Sequence, residues 1–237
     1  MSTGLNGSTA SRVAIVTGGS RGVGRATILR LAAHGCAVVV NYLHDQRAAE
    51  LTVRAILARN GNAVAVRADI ADDVDVARLF AETIAAFGGI DIVVHAAGSR
   101  ITASGMAQAD LVEFDALARV NTRATFVVNR ESARHLRDGG AIVNLSGSAA
   151  GSSLRAYGLY AATKAATDVL TQALALDLHD RDITVNAVSP EIGGPCSPDW
   201  VADVIAFLLS EQGRRITGQV LRVGDPRISR WVPGQCR

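Results

Sequence analysis

The chain has 237 residues, 49 % of them hydrophobic and 19 % charged, enough for one large domain with a well-buried core. Its 24 basic and 22 acidic residues leave a net charge of +2 and form no block of like sign, which argues against a nucleic-acid surface. Three scattered cysteines (Cys36, Cys196, Cys236) exclude a disulfide framework or a metal site, and no apolar run approaches the roughly 18 residues of a membrane span.

Residues 1–10 are polar and lack the apolar centre of a signal peptide, so they are expected to be a disordered tail on a cytoplasmic, reduced protein. Strand-like and helix-like segments then alternate. Arg12–Thr17 is a short apolar run followed by glycines and a helical pattern from Val23 to His34. Ala37–Asn41 is a second strand, with Cys36 at its start expected in the core, and a helix follows from about Asp45 to Arg59. Asp45 is placed in the first turn of that helix. Ala63–Arg67 is a third strand, and Asp72–Phe87 a third helix with Asp72 or Asp73 near its N-cap. Ile90–His95 is the fourth strand.

The second half repeats the scheme. One long helix is predicted over about Asp110–Leu136, before the strand Ala141–Leu145. A helix over about Ala156–His179 leads to the strand Thr184–Val188, a helix Trp200–Leu209 and a last strand Gln219–Val223. Continuous apolar runs separated by amphipathic helices suit a parallel sheet covered on both faces. The expectation is one α/β domain over 11–223, a Rossmann-type doubly wound parallel sheet of seven strands with ligands at its carboxyl edge. Residues 224–237 have no periodicity and read as a tail.

Gly18, Gly22 and Gly24 follow the first strand and open a helix. Such a turn lets the backbone of Ser20, Arg21, Gly22 and Val23 approach a pyrophosphate at the positive end of the helix dipole. The second strand ends Asn41-Tyr42-Leu43, where Asn41 and Tyr42 are expected at the cofactor, with no carboxylate to repel a 2′-phosphate, and Arg21 can pair with one. NADP(H) is therefore favoured over NAD(H). Asp69 and Ile70 are expected to border the adenine. Ala97 and Gly98 are small where the chain must pass close to the cofactor. His95, at a strand end with no acid placed beside it, is read as structural.

Tyr160 and Lys164 stand four residues apart and share a helix face. A neighbouring ammonium favours the phenolate and draws a tyrosine pKa down from about 10. Beside a dinucleotide turn, this pair suggests a tyrosine that exchanges a proton while a nicotinamide exchanges a hydride.

With these pieces together, the chain resembles the short-chain dehydrogenase/reductase family over nearly its whole length. The resemblance rests on Thr17-Gly-Gly-Ser-Arg-Gly-Val-Gly24, on Ala96-Ala97-Gly98, on Asn121 in Val120-Asn121-Thr122, on Tyr160 with Lys164, and on Val185-Asn186-Ala187-Val188. It implies that Tyr160 is the general acid in reduction, that Lys164 lowers its pKa and holds the nicotinamide ribose, and that Asn121 positions a relay water. Pro190 is implied at the nicotinamide. The 3-oxoacyl, polyketide and small-ketone reductases look most similar, which implies a small-molecule or acyl-thioester carbonyl substrate and a homodimer or homotetramer.

Two positions depart from the family pattern. The serine expected about thirteen residues before the tyrosine is Gly147, flanked by Ser146 and Ser148. A one-residue slip could present either hydroxyl, and Ser148, beyond the last strand residue, is the expected one. The glycine expected after Pro190 is Glu191, and only the nine residues Glu191 to Asp199 precede the next helix where the family carries a longer lid. These departures bear on substrate binding more than on cofactor binding, and they raise a second reading: a catalytically impaired dinucleotide-binding sensor or scaffold.

Overall fold

The computed structural model describes residues 11–99, 105–147, 152–191 and 196–224; the two terminal tails expected from the sequence therefore lie, apart from Gly224, outside the described residues. Seven strands form one sheet in the order β3-β2-β1-β4-β5-β6-β7, with every pairing parallel. They are β1 (Val13–Thr17), β2 (Ala37–Tyr42), β3 (Ala63–Arg67), β4 (Ile90–His95), β5 (Leu136–Leu145), β6 (Thr184–Pro190) and β7 (Val220–Val223). The chain order turns back between β1 and β4, the point where a doubly wound sheet opens a crevice for ligands.

Helices cover both faces. On one side α1 (Gly22–Ala33), α2 (Gln46–Leu57) and α7 (Pro198–Leu208) pack Ile28, Leu31, Ile56 and Ile205 against Val16, Val38, Ile92 and Val143. On the other, α3 (Asp73–Phe87), α5 (Ala124–His135) and α6 (Ser152–Asp177) pack Phe80, Val128 and Ala175 among others onto Ile15, Val39, Val93, Ile142 and Val185. Period-two alternation puts one residue of each neighbouring pair in each layer, so both strand faces must be apolar. Among the described residues no helix is long and apolar enough to cross a membrane.

Two residues further along each of four strands, the face toward α3, α5 and α6 turns polar. Asn41, Thr17, His95 and Asn144 follow Val39, Ile15, Val93 and Ile142, and all four are buried. Thr17 pairs in register with His95, and His95 with Asn144. This buried polar row at the carboxyl edge carries the site.

The structure corrects several boundaries. The long helix expected over Asp110–Leu136 is α4 (Leu111–Ala118), a π-helical turn (Arg119–Arg123) and α5, with Asp110 capping α4 through its side chain. Asp45 is an N-cap too, accepting from the Ala48 N–H at 2.9 Å, rather than a first-turn residue. Asp72 caps α3. Strand β5 begins at Leu136, five residues early, because Leu136 pairs with Ile90 and the ladder shifts register before Ile92. Gly139 (φ 75°) absorbs that irregularity. Helix α7 starts at Pro198 behind the Ser197 cap, and α6 starts at Ser152 with non-helical backbone at Tyr157. Cys36 is buried as expected, and its thiol is pushed up to about 11 by burial first, which leaves it chemically inert.

Candidate active site

The glycine turn is shaped by close approach. Gly18 has φ 64°, and a Cβ there would stand 2.9 Å from the Ala97 Cα, so no other residue lets the ends of β1 and β4 lie this near. A Cβ at Gly24 would run into the Gly18 carbonyl oxygen, which is how α1 seats directly on the turn. Arg21 holds the N-cap position with extended backbone, makes no capping bond through its side chain, and no acid occupies the first turn of α1. Among the described residues the N–H groups at this helix start are thus left without a side-chain acceptor, a fit for a phosphate group. Gly22, with no atom in the way of a Cβ, lines the cleft together with Val23.

The other expected cofactor residues divide. Asn41 is turned inward: its Oδ1 accepts from the Gly18 N–H at 3.4 Å and its Nδ2 donates to the Ala68 carbonyl at 3.1 Å. It braces the turn from behind. Tyr42 closes β2 half-buried, and Ile70 is buried. Burial works against the Asp69 charge, but the Ala71 N–H and the Arg119 guanidinium (2.8 Å) hold its carboxyl below the ordinary range. Asp69 thereby fixes the loop after β3 to the π turn.

A cavity of about 350 Å³ joins the glycine turn to the tyrosine and lysine, lined among others by Gly22, Gly98, Ser146, Tyr160, Lys164 and Pro190. Tyr160 is 7 % exposed and Lys164 3 %. The Lys164 Nζ lies 5.9 Å from the Tyr160 ring centroid and donates to the Leu145 carbonyl at 2.8 Å. Burial pushes the Lys164 ammonium down to about 8, while Asp168 opposes that shift. Lys164 is also the only lysine in the chain; every other one of the 24 basic residues is Arg. Arginine stays protonated in proteins and carries a wide planar fork, whereas lysine is compact and titratable, so this single exception sets a titratable amine beside Tyr160.

Asn121 sits inside the π turn, a distortion that recurs at functional sites. Its Oδ1 accepts from the Ser99 N–H at 2.9 Å, and its Nδ2 donates to the Ser99 carbonyl and to Thr163 Oγ1, both at 3.0 Å. These bonds clamp the loop after β4 to α6. A Cβ at Gly98 would stand 3.1 Å from the Asn121 Oδ1 and 3.3 Å from the Lys164 Nζ, so the glycine lets the two groups approach the chain.

The serine question takes an unexpected form. Ser148 lies outside the described residues. Ser146 is buried, and its hydroxyl donates to the Lys164 carbonyl at 3.3 Å. Over Gly147 stands Tyr160: a Cβ added there would be 2.5 Å from the phenol oxygen. The tyrosine occupies the space where a side chain at 147 would begin.

His95, read from the sequence as structural, is buried, with 1 % of it exposed. Its Nδ1 lies 2.9 Å from Thr17 Oγ1, which also accepts the Ala97 N–H at 3.1 Å. Burial, with help from Lys164, pushes the imidazole down to about 3. What the sequence reading missed is Asp168, although its spacing of four from Lys164 was visible.

The sheet, the glycine turn and the Tyr160–Lys164 pair together define a nicotinamide-type oxidoreductase scaffold, and the comparisons agree. The family described as short chain dehydrogenase matches residues 12–196, and the chain belongs to it. It is 41 % identical over 180 residues to versicolorin reductase 1 of Aspergillus parasiticus, covering 76 % of this chain and 68 % of that one. A dehydrogenase/reductase from Sinorhizobium meliloti superposes with a TM-score of 0.86 at 36 % identity, covering 93 % and 96 % of the two chains. A short chain dehydrogenase from Burkholderia cenocepacia, solved in complex with NADP, gives 0.81 at 35 % identity over 91 % and 97 %.

The depressed His95 yields a stability prediction with a definite sign. Below about pH 6.5 the unfolded chain takes a proton that the folded protein refuses until about pH 3, so stability falls as pH falls through that window. Between pH 7 and pH 5, urea unfolding of the parent protein should lose about 2 kcal/mol more than that of His95→Gln. Equal losses in the two proteins would show that His95 is protonated in the fold.

Proposed function

We propose that the chain reduces a carbonyl, of ketone or 3-oxoacyl type, to an alcohol with NADPH, and that Tyr160 is the proton donor. A single observation carries this reading: the only lysine of the chain is buried beside Tyr160, in the same cavity as the glycine turn. The bound nicotinamide would supply hydride to the carbonyl carbon. Tyr160 then gives its phenolic proton to the carbonyl oxygen, where negative charge develops. Lys164, held by the Leu145 carbonyl, stabilises the resulting phenolate through its charge. Asn121 holds the loop that carries Gly98 against this pair.

Preference for NADPH over NADH has its support at the end of β2. Among the described residues no acid lies on β2, Asp45 beyond it is engaged in capping α2, and Arg21 is exposed beside the glycine turn. The NADP bound by the Burkholderia cenocepacia protein points the same way. On the substrate side, the Glu191 N–H donates to the Val223 carbonyl at 3.0 Å and α7 begins at Pro198, so little chain is left for a lid. A homo-oligomer is supported by exposed apolar side chains along α4 to α6, among them Leu111, Val112, Phe126, Val169 and Leu176. Light scattering on the eluted protein should give a dimer or tetramer; a strict monomer at micromolar concentration contradicts that part.

NADPH and NADH consumption should be followed with a panel of small diketones and 3-oxoacyl thioesters. Turnover is expected with NADPH preferred, and Tyr160→Phe should lower it on the order of a hundred- to ten-thousandfold while the cofactor still binds. Tight NADPH binding with no carbonyl turned over would instead favour an impaired, sensor-like protein of the same fold, a reading motivated by Gly147. Restoring the family residue should do harm here: Gly147→Ser places a Cβ against the Tyr160 phenol and is expected to lower the rate at least about tenfold. A faster enzyme would mean that the phenol does not occupy that space during turnover.

A further inference from the structure

Asp168 is a titratable group that the reaction above does not use. It lies one turn beyond Lys164 on α6, so the two share a helix face. Its Oδ1 is sealed from solvent and has no hydrogen-bond partner among the described residues. Ser146, at the end of β5, faces the same carboxyl, and Arg222 of β7 is the other cation acting on it; burial pushes the carboxyl above the ordinary range.

The surroundings of Lys164 make this carboxyl matter. No ion pair closes on its ammonium among the described residues. Among the described residues it faces His95 of β4, held neutral by burial, and the Asn121 Oδ1 of the π turn beside Gly98, while Glu191 at the end of β6 lines the same cleft. On its own helix it has Tyr160 and Asp168. An unpaired ammonium in such a place loses much of its hydration and tends to shed its proton instead. Asp168 is the single acid whose charge opposes that loss.

We propose that Asp168 is a positioning residue, the counter-charge that keeps Lys164 protonated and so keeps Tyr160 able to act. The consequence for Tyr160 rests on the reductase reading; the effect on Lys164 does not. The carboxylate touches neither substrate nor cofactor and works through the amine. Its Oδ1, sealed from solvent and without a hydrogen-bond partner among the described residues, suits this, since no local donor takes up the charge at that atom. The Ser146 hydroxyl, at the strand end beside the acid, donates to the Lys164 carbonyl at 3.3 Å.

The lone lysine makes the test direct. Protein grown with lysine labelled at the ε-carbon gives one side-chain resonance, and its pH titration reads Lys164 without any turnover. The parent midpoint is expected near about 8. Asp168→Asn should move it down by about one unit or more, the size expected for one nearby opposite charge, and Asp168→Glu should restore most of that shift. An unmoved midpoint in the Asn variant, or an equal drop in the Glu variant, overturns the proposal. Should the Asn variant fail to fold, the parent resonance itself decides: a second, smaller inflection in the acid range is expected as Asp168 takes up its proton, and a flat acid limb overturns the proposal. Failure of the carbonyl panel alone would sink the reductase reading and leave this titration standing.

Discussion

Parallel strands put all their carboxyl ends at one edge, and at that edge the buried face toward α3, α5 and α6 stops being aliphatic. Asn41, Thr17, His95 and Asn144 replace the Val and Ile that precede them on four adjacent strands. Buried polar atoms must find partners or carry a cost, so this row dictates what stands above it. Asn41 takes up the Gly18 turn, Thr17 takes the Ala97 N–H, and Asn144 donates to Thr171 of α6 at 3.0 Å. The glycine turn, the loop after β4 and the helix that carries Tyr160 and Lys164 are each tied to this row. The geometry of the cleft is thus set by hydrogen bonds made below it.

Within that frame the costly element is one buried ammonium. Withdrawing such a charge from water is opposed by several kcal/mol even after relaxation, and among the described residues no carboxylate forms an ion pair with it. What offsets the cost is dispersed: the Leu145 carbonyl at 2.8 Å, the face of the Tyr160 ring and the field of Asp168. An arrangement of this kind leaves the amine only loosely committed to its proton, which is why its midpoint is pushed down to about 8 by burial. Tyr160 in turn is seated over Gly147, so a backbone position without a side chain fixes where the phenol oxygen rests.

Much of this could be read from the residues. The alternation of apolar runs and amphipathic segments fixed the number and order of strands, because a doubly covered strand shows as an unbroken Val and Ile run. The glycine turn and the Tyr160–Lys164 spacing were legible for the same local reason. Less so was β5, whose Arg137-Asp138-Gly139-Gly140 start looks like a loop and is held in the sheet by pairing with distant Ile90. The π turn was hidden too, since one extra residue in a helical turn leaves the amphipathic pattern from 110 to 136 nearly intact. Gly147 stood out as a departure, yet nothing in the sequence says that a tyrosine thirteen residues on would fill its place. The role of Asn41 reversed from facing the ligand to bracing the turn, because the inward or outward sense of a strand-end residue depends on the sheet above and below it.

The missing lysines have a practical side. Reagents that seek amines, such as activated esters, aldehyde fixatives or enzymes that acylate lysine side chains, find almost nothing on this surface, where arginine supplies the positive charge. Apart from the chain's own α-amino group, one amine remains, and it is walled in at the bottom of a cleft. Attachment to a support through side-chain amines would therefore fail for the folded protein or else go through the site itself, and chemical labelling of that amine would report on access to the cleft rather than on the exterior.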